Sequence, residues 1–133
     1  MRDVVILFFV LIVTCLSPAA TEARKVQKAH RMTASWYGSQ FLEGAPMANG
    51  EPFKAGDPSI AAHRSWRLGT TIVITNPDTG LWLIAEVKDR GPYIGGRDID
   101  LSWAAAEKLG YVDKGVTTLL VAVVHKSSRK GHS

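Results

Sequence analysis

The sequence predicts a small, mostly β domain, closed as a barrel, with one or two short helices. Three observations predict it. Four segments, TASWY (33–37), TIVITN (71–76), LWLIAEV (81–87) and TTLLVAVV (117–124), have strand length and are rich in β-branched, aliphatic or aromatic residues. One helical run stands out, the short WAAAEKL (103–109). At 133 residues, 46% apolar and 21% charged, the chain has the composition of a single ordinary globular domain. Closure into a barrel is the usual way for such a domain to leave no sheet edge unpaired.

The elements follow in chain order. The apolar run from Val4 to Val13 is too short to span a bilayer and leads into small residues, Ala19, Ala20 and Ala23, where cleavage would fall. That is a signal-peptide pattern, so residues 1–23 are expected to be removed and to take no part in the fold. Cys15, the only cysteine, lies inside this segment, so a chain beginning near Arg24 could form no disulfide. A lipoprotein signal would instead keep Cys15 as an acylated first residue, but Thr14 is a poor fit just before it. A basic segment, 24–32, precedes the expected barrel at 33–125, and a basic tail, 126–133, follows it.

In the first strand Trp36 and Tyr37 are adjacent, so their side chains point to opposite faces and at most one faces the core. From Gly38 to Ile60 runs SQFLEGAPMANGEPFKAGDPS, punctuated by Gly and Pro and without period. A loop of that length in a compact domain is often functional. The strands 71–76 and 81–87 are joined by Pro77-Asp78-Thr79-Gly80, whose residues supply turn geometry for a hairpin. Ser102 is placed to cap the helix and Gly110 to end it. Trp82 and Trp103 are expected in the core; Trp66 fits either environment.

Charge is unevenly spread. Arg24, Lys25, Lys28 and Arg31 lead the expected mature chain and Lys126, Arg129 and Lys130 close it, while 32–125 carries 8 basic against 10 acidic residues. Basic ends could hold the chain near an anionic wall or membrane surface, or be solvated termini. A body without a basic stripe argues against nucleic acid as a partner. A monomer is expected.

Three polar residues stand out by context. Glu51 follows Ala48-Asn49-Gly50 in the long loop, His63 follows Ala61-Ala62, and Asp89 follows the strand 81–87 and opens the turn Arg90-Gly91-Pro92. Each lies at an element end, where sites tend to be built. Taken singly, each also has an ordinary explanation: a turn aspartate, a solvated carboxylate, a packed histidine. There is no HxxxH or cysteine spacing, so no metal and no cofactor are expected.

Eight short segments, in order, resemble the RlpA-like (rare lipoprotein A) double-psi β-barrel family: ASWYG (34–38), ANGEPF (48–53), AAH (61–63), LGT (68–70), VITN (73–76), KDRGPY (88–93), RDIDLS (97–102) and AAEKLG (105–110). The resemblance implies a six-stranded double-psi barrel in an exported, periplasmic or cell-envelope protein. It further implies a lytic transglycosylase cutting the glycan strands of peptidoglycan. The acid, histidine and aspartate implicated in that family fall on Glu51, His63 and Asp89. Met47, Arg67 and Lys88 depart from the family's usual Thr, Pro and Asn at their positions, and none of these departures removes a candidate group.

Lytic cleavage between N-acetylmuramic acid and N-acetylglucosamine delivers a proton to the leaving oxygen and then takes one from the muramic acid 6-hydroxyl. One carboxyl group can do both. On the resemblance that group is Asp89, with Glu51 and His63 orienting substrate or steadying charge. Asp100 is the alternative, because related polysaccharide-active barrels carry an important aspartate in a similar Asp-Leu-Ser motif. To act as an acid near neutral pH the chosen carboxyl needs burial or a like charge beside it, and Arg90 would oppose that if it turned toward Asp89. Trp36, Tyr37, Asn49, Arg90, Tyr93 and Asp100 are candidate sugar contacts, while Arg97 and Asp98 are expected to be solvated. The rival reading is a non-catalytic, expansin-like barrel that binds polysaccharide through the same groove.

Overall fold

The computed structural model describes residues 25–37 and 42–125. The expected signal segment with Cys15, the basic tail and the first residues of the long loop lie outside them. Among the described residues seven strands and one helix are formed: β1 Lys25–Val26, β2 His30–Trp36, β3 Ile60–His63, β4 Thr71–Thr75, β5 Trp82–Asp89, β6 Ile99–Leu101, α1 Trp103–Leu109 and β7 Thr117–His125.

The strands close on themselves. β2 pairs with β7, β7 with β4, β4 with β5, β5 with β3, β3 with β6, and β6 returns to β2. β4 uses one edge of β7 as far as Val124, so β1, which also pairs with Val124, continues the edge that β2 occupies. Counting β1 and β2 as one interrupted strand, this is a six-stranded closed barrel. Two pairings are parallel, β2–β6 and β3–β5, and the others are antiparallel.

Alternation along each strand fills the interior. In β4 Ile72 and Ile74 point inward, in β5 Leu83, Ala85 and Val87, in β7 Leu119 and Val121, and all belong to the main core. Ile99 and Leu101 of β6 complete the lining, and α1 closes one side with Ala105, Ala106 and Leu109. The hairpin between β4 and β5 forms as expected. Asn76 secures it, accepting from the Asp78 N–H at 3.0 Å and donating its buried amide to the Leu109 carbonyl at 2.7 Å, which ties the hairpin to the end of α1.

The helix termini are also those expected. Ser102 Oγ accepts from the Ala105 N–H at 3.1 Å, and Gly110 adopts a left-handed φ of 76°. A Cβ on Gly110 would come within 3.2 Å of Thr79 Cγ2, so the residue serves both the cap and the close approach of the hairpin. Ser102 Oγ also donates to the Asp57 carbonyl at 2.6 Å, joining the helix start to the long loop. Ser102→Ala loses both bonds at a fully buried position, and chemical denaturation is expected to show destabilisation of about 2 kcal/mol.

Several expectations need correction. Trp82 is 64% and Trp103 41% exposed. In β5 the inward phase belongs to Leu83, Ala85 and Val87, which turns Trp82 out; in α1 the buried stripe is Ala105, Ala106 and Leu109, away from Trp103. Asp98 is half-buried and structural: its Oδ2 accepts from the Thr33 N–H at 2.9 Å and its Oδ1 lies 3.7 Å from Arg64. β5 runs on to Asp89, which is therefore the last residue of a strand and not the first of a turn. β3 and β6, four and three residues long, carry no strand signal in the sequence.

Candidate active site

The site is built around β3. Ala61 pairs with Val87 on one side and Leu101 on the other, and all three are buried in the barrel interior. The next residue, Ala62, must point outward, and its partners are Asp100 on β6 and Asp89 on β5. Regular alternation would have set Lys88 opposite Ala62. The register shifts by one between Ala61 and Ala62, so that Asp89 takes the place. A bulge of this kind re-aims a side chain at a strand end. Two carboxylates thus flank a residue whose side chain is a single methyl group.

β2 supplies the other polar groups. Ala34 pairs with Ile99 inside the barrel, which sends Ser35 outward beside Asp100 and, two residues on, Tyr37 to the same face. Ser35 Oγ donates to Asp100 Oδ1 at 3.2 Å, and Tyr37 Oη donates to Asp89 Oδ2 at 3.1 Å. The Tyr37 ring leans on Phe53, centroids 4.9 Å apart, in a small outer cluster with Met47 and Ile60. The long loop is therefore packed against the outside of the barrel at the site.

Asp89 is the loop's anchor. Its Oδ1 accepts from the Ala48 N–H at 3.0 Å and the Arg90 N–H at 2.8 Å, while the Asn49 N–H donates to the Lys88 carbonyl at 3.1 Å. The tip Ala48-Asn49-Gly50-Glu51 is a tight turn in which Gly50 takes a φ of 87° and Asn49 Oδ1 accepts from the Glu51 N–H. Glu51 is exposed and meets Lys88 Nζ at 3.2 Å. The hydrogen bond from Lys88, followed by that from Asn49, holds the Glu51 carboxyl below the usual range. Glu51 is thus a charged rim residue and a poor proton donor.

Asp100 differs. Burial, opposed by the Ser35 hydrogen bond and by Arg97, pushes its carboxyl up to about 6, and the charge of Asp89 adds to the rise. Burial first, then Asp89 and Asp100, raise Tyr37 well above the usual phenol, so it stays a neutral donor.

His63 belongs to a different cluster. Its Nδ1 accepts from the N–H groups of Ser65 and Trp66 at 3.2 and 3.0 Å, which leaves the ring proton on Nε2. The ring stacks on Trp66 at 4.2 Å, and burial, then Arg64 and Arg90, keep it below the ordinary imidazole value and hence neutral. The Arg90 guanidinium clasps the His63 and Trp66 carbonyls and so turns away from Asp89, to which only its backbone N–H is offered. Trp36 is the core-facing member of its pair, with its indole N–H spent on the Val112 carbonyl at 3.2 Å. Asn49 and Tyr93 are exposed, Tyr93 to 79%. Of the residues singled out in the sequence, Tyr37, Asp89 and Asp100 come together, Glu51 sits on the loop turn that Asp89 anchors, and Trp36 and His63 point elsewhere. Ser35 was missed, because a serine between Ala34 and Trp36 carries no signal until β2 and β6 are paired.

The fold and the site together define a double-psi β-barrel protein with a pair of acidic residues on the barrel's outer face. The chain belongs to the lytic transglycolase family, whose model matches residues 29–121. It is 45% identical over 96 residues to the endolytic peptidoglycan transglycosylase RlpA of Pseudomonas aeruginosa, and 44% identical over 93 residues to a probable enzyme of the same name from Aquifex aeolicus. These matches cover 71% and 70% of this chain but only 28% and 40% of those relatives. Among solved structures, a Streptomyces papain inhibitor superposes with a TM-score of 0.55 at 21% identity, covering 75% of this chain and 94% of that one. Cerato-platanin 3 from M. perniciosa gives 0.53 at 18%, covering 74% and 97%. At those identities the likeness is one of fold.

Proposed function

We propose that the barrel is a peptidoglycan lytic transglycosylase of the cell envelope, cleaving the bond between N-acetylmuramic acid and N-acetylglucosamine with Asp100 as acid and then base. The single observation that carries this reading is the pair Asp89 and Asp100 on either side of Ala62, with Asp100 half-buried and raised to about 6. A carboxyl that titrates there is part protonated near neutral pH and still basic enough to take a proton back. Asp89 has three hydrogen bonds arriving at its oxygens, which hold its carboxyl in place and suit it to a supporting role. The relatives, named as transglycosylases of peptidoglycan, supply the substrate class.

The reaction balances without water. Asp100 gives its proton to the glycosidic oxygen as the C1–O bond of muramic acid breaks, and N-acetylglucosamine leaves as an alcohol. Positive charge grows on the sugar ring, where Asp89 lowers its energy. The ionised Asp100 then takes the proton of the muramic acid 6-hydroxyl as that oxygen bonds to C1, closing the 1,6-anhydro ring. Asp100 ends protonated, as it began. Glu51, Asn49 and Tyr93, exposed around the pair, are the candidate sugar contacts, and Tyr37 supports through Asp89.

The test is digestion of purified peptidoglycan, intact and stripped of stem peptides, with mass spectrometry of the soluble products and Asp100→Asn as control. Anhydro-muramic ends from the wild type alone are expected. Reducing ends would mean hydrolysis, and cosedimentation with glycan without any soluble product would mean a binding barrel; either result overturns the proposal.

A further inference from the structure

Tyr111 lies just beyond α1, is 2% exposed and packs in the main core. A phenol in such a place needs a partner for its hydroxyl. Its Oη donates to the backbone carbonyl of Ser35 at 3.1 Å, and Ser35, equally buried, is the residue whose Oγ donates to Asp100 Oδ1. A second bond between the same two segments runs the other way, from the Trp36 indole to the Val112 carbonyl. The end of β2 is thereby bolted, at consecutive residues, to consecutive residues of the chain after α1.

From this geometry we infer that Ser35 and Tyr111 are positioning residues: the Tyr111 hydroxyl fixes the backbone of Ser35, and Ser35 Oγ fixes the carboxyl of Asp100. The role given to Asp100 rests on the proposed function, but the arrangement itself does not. Elsewhere in the barrel a core tyrosine would serve as well as phenylalanine. Here the hydroxyl reaches the strand residue whose Oγ donates to the half-buried Asp100 carboxyl, and Asp100 is close enough for its charge to add to the effect of burial in raising the Tyr111 hydroxyl. The groups that act on Asp100 are Ser35 from β2, Asp89 from β5, Arg97 and the Leu101 N–H from its own segment; Tyr37 and Tyr111 feel its charge. Ser35 is the neutral donor among them whose removal alters no charge.

The experiment follows the Asp100 carboxyl by carbon-13 NMR titration in the full chain, for wild type, Ser35→Ala and Tyr111→Phe, with kcat and KM on glycan strands measured beside it. Ser35→Ala removes a donor to the charged form, so the Asp100 midpoint is expected to rise. Tyr111→Phe is expected to move it the same way by less, and both variants to lower kcat about tenfold with KM unchanged, as a slight misplacement of the acid does. An Asp100 midpoint unmoved in both variants, even with lower activity or melting temperature, would show an ordinary core role and overturn the inference. A midpoint that moves in a protein inactive on every glycan would support the positioning role and count against the proposed function, so the two fail separately.

Discussion

Asp100→Asn is expected to reduce glycan cleavage by about a thousandfold or more, since it removes both proton transfers, each of the order that general acid–base catalysis supplies. The same substitution is expected to stabilise the fold at neutral pH. The carboxyl of Asp100 is raised from 3.8 to about 6 in the folded barrel, mainly by burial. A raised carboxyl binds its proton more tightly when folded, so its contribution to stability is full below the unfolded value. That contribution is lost as pH climbs through the folded one. A shift of about two units corresponds to about 3 kcal/mol lost between roughly pH 4 and pH 6.5. Asparagine carries no charge to desolvate and can still accept from Ser35, so the variant should unfold at higher denaturant than wild type at pH 7 and the two should converge near pH 4. Denaturant titrations across that range check this. A variant no more stable at pH 7 would mean that the carboxyl is not desolvated, and the proposed acid would lose its physical basis.

Asp89→Ala is the second large effect, and it should differ in kind. Removing this side chain takes the partner from the Tyr37 hydroxyl and from the N–H groups of Ala48 and Arg90. Bonds to a carboxylate are each worth about 1.5–3 kcal/mol, and stranded donors near water recover part of that. A net loss of about 2 kcal/mol is expected. Since the barrel interior is untouched, hydrogen exchange should quicken at Ala48 and its neighbours in the loop, while Ile72, Ile74 and Val121 stay protected. Activity should fall about a hundredfold, through lost charge beside the reacting sugar and a loosened rim. Asp89→Asn should restore much of the loop's protection, because one oxygen can still accept, without restoring activity. If protection around Ala48 is unchanged in Asp89→Ala, the anchoring role assigned here is wrong.

The two variants separate what one stretch, KDRGPYIGGRDIDLS, leaves joined. In the sequence its aspartates look alike, and neighbouring glycines make all of it read as a charged turn. In the fold Asp98 pins β2 by its backbone, Asp89 anchors the long loop, and Asp100 is a half-buried carboxyl beside a serine. The resemblance to RlpA-like barrels pointed at Asp89, Glu51 and His63. The structure leaves Asp89 central, puts Glu51 at the rim under the hold of Lys88, and commits His63 to Trp66 and its own turn.

Local signals decided what depends on neighbours in the chain. The β-branched runs from Thr71 and Thr117, the Pro77–Gly80 turn, the Ser102 cap and the Gly110 stop are readable because each is enforced within a few residues. The sequence determined in this way a small β barrel with one capped helix, and by its motifs the family. β3 and β6 were not legible, because Ile-Ala-Ala-His and Ile-Asp-Leu become strands only when each is flanked by others. For the same reason Trp82 and Trp103 were expected inside: hydrophobicity says what a side chain prefers, and strand or helix phase says where it points. The meeting of Asp89 with Asp100, the one-residue bulge that aims Asp89, and the burial that raises Asp100 belong to the tertiary structure alone. Each arises from pairing between strands far apart in the chain, and the protonation of a carboxyl follows from the surroundings that such pairing creates.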